Sequence, residues 1–128
     1  MTREVIRTEG APAPFQGAPY SQAIKANGFV FVAGQLGLKP GSAEIVPGGI
    51  TEQTEQVLSN LRAILEAAGS SFDQVVKTTV FLQNLADFTA MNEVYARHIG
   101  ESPPARSTVE VAKLPSGALV EIEAIALA

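Results

Sequence analysis

Apolar positions change period several times along the chain, and each change marks an element. "YSQAIKANGFVFVAGQ" holds two apolar-rich runs joined by Asn27-Gly28, a dipeptide favoured where both central residues of a two-residue turn need φ > 0. A β-hairpin from Tyr20 to Gly34 is expected. "LKPGSAEIVPGG" carries Pro and Gly without periodicity and reads as a loop reaching about Gly49. From Thr51, the expected N-cap, residues Val57, Leu58, Leu61, Ile64, Leu65 and Ala68 recur on one helix face, and Gly69 supplies a left-handed stop. "QVVKTTVFL" is β-branched and aromatic, hence a strand from Val75 to Leu82. A second helix, from about Leu85 to Ile99 with Asn84 or Asp87 as cap, carries the stripe Phe88, Met91, Tyr95 and Ile99 and stops at Gly100. Two prolines in "ESPPARS" enforce an extended lead-in to strands near Ser107 to Val111 and Leu119 to Leu127. The order β-β-α-β-α-β-β implies one α+β domain over residues 1–128, with a mixed sheet and both helices on one face.

The last two strands contain charge where charge is costly. Side chains alternate across a strand. Val120, Ile122, Ala124 and Ala126 therefore share a small aliphatic face, while Leu119, Glu121, Glu123, Ile125 and Leu127 share the other. In the strand before, Ser107, Val109 and Val111 fall together, opposite Arg106, Thr108 and Glu110. If the helices cover both aliphatic faces, Arg106, Thr108, Glu121 and Glu123 gather on the helix-free side. Two readings then stand. One is a structural Arg–Glu pair on a half-exposed sheet; the other is a guanidinium fork for a substrate carboxylate with a positioned glutamate base.

Composition narrows the field. Of the 128 residues, charged ones make up only 17% and apolar ones 46%, against about 25% charged in typical soluble domains. Such a charge-poor surface fits coverage by another chain. The net charge of −4 and the lack of a basic cluster argue against nucleic acid as a partner. With no cysteine, disulfides, thiolate chemistry and Cys-ligated metal are excluded. No apolar run approaches a membrane span, and the first residues lack the core of a signal peptide, so a soluble, cytoplasmic protein is expected. His98 alone cannot make a zinc site and reads as a solvated helix-end residue. Glu52, Glu55, Arg62 and Glu66 read as an ordinary polar helix face.

"PPARSTVEVAKLPSGALVEIEAIAL" resembles the C-terminal signature of the RidA family (also YjgF, L-PSP or the translation-inhibitor family), with its P-x-R-S/A, V-x-x-L-P and V/I-E-I/M-E segments. "GAPYSQA", "VFVAGQLGLKPGSAEIV" and "QTEQVLSNLRAILEAAGSSFDQVVKTTVFLQNLADFTAMNEVY" extend the resemblance over essentially the whole chain. It implies a chorismate-mutase-like α+β fold and a homotrimer with sheets turned inward and sites at subunit interfaces. It also implies hydrolysis of 2-imino acids such as 2-iminobutanoate and 2-iminopropanoate, released by pyridoxal-phosphate enzymes, to 2-keto acid and ammonia. No metal or organic cofactor is implied. By the same resemblance Arg106 clamps the substrate carboxylate and Glu121 holds the attacking water. The Thr108 backbone contacts the imine nitrogen or the water, and Tyr20, Gly34 and Asn92 line the pocket, partly from the neighbouring subunit. Glu123 is structural at the interface, and Glu110 has no assigned role.

Two residues depart from the family pattern. Thr108 stands where many members have Cys, and Ala33 replaces a common Ser, removing a hydroxyl near the site. Two other functions stay open: an endoribonuclease or translation inhibitor, and a non-catalytic module that binds small carboxylates through Arg106.

Overall fold

The structure, a computed structural model, describes residues 2–128. It begins with a strand that apolar patterning does not announce. β1 (Glu4–Ile6) spans three residues and pairs antiparallel with β2 (Ala23–Ala26). Asn27 and Gly28 form the expected turn, with φ of 52° and 82°, into β3 (Phe29–Gln35). Then come α1 (Ile50–Ala67), β4 (Val75–Leu82), α2 (Phe88–Ile99), β5 (Ala105–Glu110) and β6 (Val120–Leu127). The order is β-β-β-α-β-α-β-β, one strand more than expected. Tyr20 lies outside the hairpin, in the loop before β2.

The first helix starts earlier than the sequence implies. Its N-cap is Gly49, not Thr51, and the Glu52 carboxylate accepts a hydrogen bond from the Gly49 N–H at 2.8 Å. That bond holds the Glu52 carboxyl below its usual range. Before α2, residues Leu85–Asp87 form a 3₁₀ turn, opened by the Asn84 side chain accepting from the Ala86 N–H at 2.9 Å. The helix proper therefore begins at Phe88.

The six-stranded sheet has the order β1-β2-β3-β6-β4-β5, and only β4 and β5 pair in parallel. Both β3 and β4 run antiparallel to β6 between them, so they are parallel to each other. β3-α1-β4 and β4-α2-β5 are thus two parallel crossovers stepping the same way across the sheet, and a common hand places both helices on one face. There Val57, Leu61 and Ile64 of α1 and Met91 and Val94 of α2 are wholly buried over Val80 and Ile122.

α1 and α2 are also tied by charge. Glu55 of α1 accepts from Arg97 at 3.0 Å and pairs with His98 Nε2 at 2.8 Å, both on α2. His98 is 18% exposed, so it is a helix-bridging residue and not the solvated helix end expected from sequence. Its hydrogen bond is the main reason the Glu55 carboxyl lies below its usual range.

The opposite sheet face carries no helix. Phe31 of β3, Val109 of β5 and Leu127 of β6 are 44%, 43% and 41% exposed there. Exposed large apolar side chains on a sheet face that no helix covers suit an interaction surface. Among the described residues no helix is long and apolar enough to cross a membrane.

Candidate active site

Strand register corrects the expected placement of charge. Thr78 of β4 lies opposite both Arg106 of β5 and Ala124 of β6, while Phe81 lies opposite Val109 and Glu121. Thr78 is buried under α2, its hydroxyl 2.7 Å from the Tyr95 hydroxyl. Arg106 and Thr108 therefore face the helices, whereas Glu121 and Glu123 face away from them. The four do not share one side. β5 is an edge strand, so the face it turns toward the helices lies only partly under α2 and tolerates polar residues, while Val109 is left on the open face.

Arg106 rests on aromatic rings. Its guanidinium carbon is 4.8 Å from the Tyr95 ring centroid and 5.5 Å from that of Phe88. A cation held over π-faces is stabilised by roughly 0.5–2 kcal/mol without spending its N–H donors. Among the described residues the guanidinium makes no ion pair and no side-chain hydrogen bond, which removes the reading of a structural Arg–Glu pair. Asn92 follows Phe88 by one helical turn and precedes Tyr95 by three residues, so it shares their side of α2. Its carboxamide oxygen is buried without a hydrogen-bond partner. Arg106, Thr108 and Asn92 thus lie toward the helix side of the sheet, at the β5 edge. Glu110 stands apart from it: its carboxylate accepts from the Leu85 N–H at 2.8 Å and caps the turn before α2.

Glu121 lies on the other face. It lies in a cleft of about 340 Å³ on the helix-free side, with Phe15, Tyr20, Gly34, Leu36 and Pro115 among its walls. Burial, and secondarily the negative charge of Glu123, raise its carboxyl above the usual carboxylate range. No side chain or backbone donor among the described residues pairs with it.

Gly34 explains how the carboxylate fits. β3 and β6 shift register between Val32 and Gln35, so Ala33 and Gly34 together oppose Glu123 alone, a β-bulge. A Cβ added at Gly34 would overlap the Glu121 carboxylate and reach within 2.9 Å of its Cδ. Gly34 is needed for space, since its φ is not left-handed. Ala33 lines the same cleft, so its missing hydroxyl bears directly on it. The Tyr20 hydroxyl accepts from the Phe15 N–H at 2.6 Å, leaving its own proton free to donate.

Side-chain amides fix the three loops around Glu121, and sequence patterning missed them. Buried Gln22 accepts from the Thr8 N–H at 2.7 Å and donates to the carbonyls of Thr8 at 3.0 Å, Pro12 at 2.8 Å and Ala11 at 3.3 Å. Asn60 of α1 donates to the carbonyls of Leu36 and Leu38 at 3.1 and 2.8 Å. Gln83 accepts from the Leu114 N–H and Gln53 from the Leu119 N–H, each at 2.8 Å, on either side of Pro115. A buried polar residue among apolar neighbours was the available signal for Gln22 and Asn60.

One chain therefore presents a bare cation and a bare carboxylate on opposite faces of its sheet. Comparison with known proteins gives the family. Residues 10–128 match the family described as Endoribonuclease L-PSP. The chain belongs to the RidA/YjgF/L-PSP family. A RutC family protein of Pyrococcus horikoshii is 58% identical over 124 residues, covering 97% of each chain. Mouse 2-iminobutanoate/2-iminopropanoate deaminase is 49% identical over 127 residues, covering 99% of this chain and 93% of the mouse protein. E. coli TdcF, solved with bound serine, aligns with a TM-score of 0.89 at 39% identity over 98% of both chains. The architecture is the chorismate-mutase-like α+β fold of the RidA family, as the resemblance implied.

Proposed function

We propose that this RidA-family protein hydrolyses 2-iminobutanoate and 2-iminopropanoate to the corresponding 2-keto acid and ammonia. We further propose that it does so as a homotrimer with sites between subunits. The observation carrying this reading is that Arg106 and Glu121, each without a charged partner, lie on opposite faces of one sheet. Within a chain the sheet backbone separates them. A site holding both needs the β5 edge of one copy against the helix-free face of another, where Phe31, Val109 and Leu127 supply apolar contact area. The mouse relative's name supports the reaction, and the serine on TdcF supports a small amino-acid-like ligand.

The chemistry asks mainly for positioning. A protonated 2-imino acid is already electrophilic at C2, so carboxylate anchoring and an oriented water remove most of the entropic cost. The Arg106 fork binds the substrate carboxylate in two parallel N–H···O bonds. Glu121 accepts a proton from water as its oxygen bonds to C2. That proton passes from Glu121 to the nitrogen of the resulting carbinolamine; the C–N bond then breaks as C=O forms, and the hydroxyl proton is taken up by Glu121 and passed to the departing ammonia. Water is consumed, and 2-keto acid and ammonium leave. Burial raises the basicity of Glu121 in the direction that proton transfer needs. Thr108 backbone, Asn92, Gly34 and Tyr20 line the joined site, and no organic cofactor or metal takes part.

The test generates 2-iminobutanoate in situ with threonine dehydratase and traps the remaining imine with semicarbazide. Wild type should accelerate imine loss, while Arg106→Ala and Glu121→Ala should each lose at least about 100-fold. Wild type with no effect on imine decay would sink the deaminase reading. Cleavage of RNA independent of Arg106 would favour a nuclease, and Arg106-dependent binding of 2-oxobutanoate without turnover a binding module.

A further inference from the structure

The cation at the β5 edge is held by packing alone. Arg106 is half-buried and spends none of its N–H groups on a side chain among the described residues. An unpaired arginine on an edge strand can swing its head into water. Here two rings of α2 keep it in. Phe88 and Tyr95 are seven residues apart on one stripe of the helix, which sets their Cα atoms about 10.5 Å apart along its axis. The guanidinium carbon lies 5.5 Å from the Phe88 centroid and 4.8 Å from that of Tyr95, so it occupies the gap between them.

The two rings are tied to the strands that flank the cation. Tyr95 is buried, and its hydroxyl lies 2.7 Å from that of Thr78, also buried. Thr78 is the β4 residue directly opposite Arg106 in the parallel register. The turn that leads into Phe88 is pinned to β5 itself, through the Leu85 N–H donating to the Glu110 carboxylate at 2.8 Å. Phe88 is 40% exposed and forms the outer wall of the gap, so it can be changed without emptying the core.

We infer that Phe88 and Tyr95 are positioning residues that act through Arg106, holding its guanidinium aimed before a carboxylate arrives and leaving its N–H donors free to receive it. The inference rests on the carboxylate clamp of the 2-imino acid reading. A guanidinium already confined loses less freedom when it binds, so the rings favour capture of the substrate more than its conversion.

Two readouts on the full assembled protein test this. Nitrogen-15 relaxation follows the Arg106 Nε–H group, assigned by its loss from Arg106→Lys, and calorimetry follows 2-oxobutanoate binding. In ligand-free wild type the group should be as ordered as rigid backbone, with an order parameter of about 0.85, and Phe88→Leu and Tyr95→Leu should each lower it below about 0.6. Each should weaken 2-oxobutanoate by about 10-fold and raise the imine KM by a similar factor with a smaller change in kcat. Tyr95→Phe combined with Thr78→Val removes both buried hydroxyls together and keeps both π-faces, so order and affinity should stay within about 2-fold of wild type. Phe88→Leu decides the matter should Tyr95→Leu fail to fold. An Arg106 group as mobile in wild type as in Phe88→Leu, an affinity that Phe88→Leu leaves unchanged, or a loss in Tyr95→Phe/Thr78→Val equal to that in Tyr95→Leu overturns the inference. Wild type that shows an ordered Arg106 and binds 2-oxobutanoate yet fails to hydrolyse imine overturns the deaminase reading alone; no binding of 2-oxobutanoate overturns both.

Discussion

Glu121 is a charge held where burial opposes it, with Glu123 adding repulsion. Its proton is held more tightly in the folded chain than in the unfolded one. The folded state therefore gains stability as pH falls toward the ordinary carboxylate range. It loses stability as pH rises through the raised value, and the penalty persists at neutral pH. In an Arg106→Ala background, where no neighbouring cation offsets the burial, Glu121→Gln should consequently raise the melting temperature at pH 7, with the difference disappearing in acid. Thermal melts across pH read this directly; equal melting temperatures at pH 7 would mean the carboxylate is not strained. Strand parity placed Glu121 on the helix-free face, while the role of holding the attacking water came only from the family signature. Gly34 was likewise named without its reason, the carboxylate occupying the space of a Cβ.

At the scale of elements, sequence periodicity located both helices and β4, whose apolar repeats are long, and the Asn27-Gly28 turn. It failed where tertiary pairing decides. β1 has three residues and owes its existence to β2. β5 was assigned the wrong face because Val109 and Val111 look like core, yet register with Thr78 and Val80 sends Arg106 and Thr108 toward the helices. The loops around Glu121 were unreadable for a different reason, since amides distant in sequence hold them. Gln22→Leu should show this most clearly. It strips partners from the Thr8 N–H and the carbonyls nearby, at a cost of about 1–3 kcal/mol. A melting temperature several degrees lower and a KM that rises more than kcat falls are expected. An unchanged melting temperature would mean Gln22 does not anchor the loop.

At the scale of the whole molecule, the proposed closed assembly would cover the apolar side chains of the helix-free face and bring Arg106 and Glu121 of different copies together. Each interface would join an Arg106 half from one copy to a Glu121 half from its neighbour. Two individually inactive variants should then rescue each other. Arg106→Ala and Glu121→Ala, unfolded together, refolded at equal amounts and assayed for imine loss, should recover about one quarter of wild-type activity, the share of interfaces at which intact halves meet in random assembly. A mixture as inactive as its two components, with co-assembly confirmed by mass, would contradict a site shared between subunits.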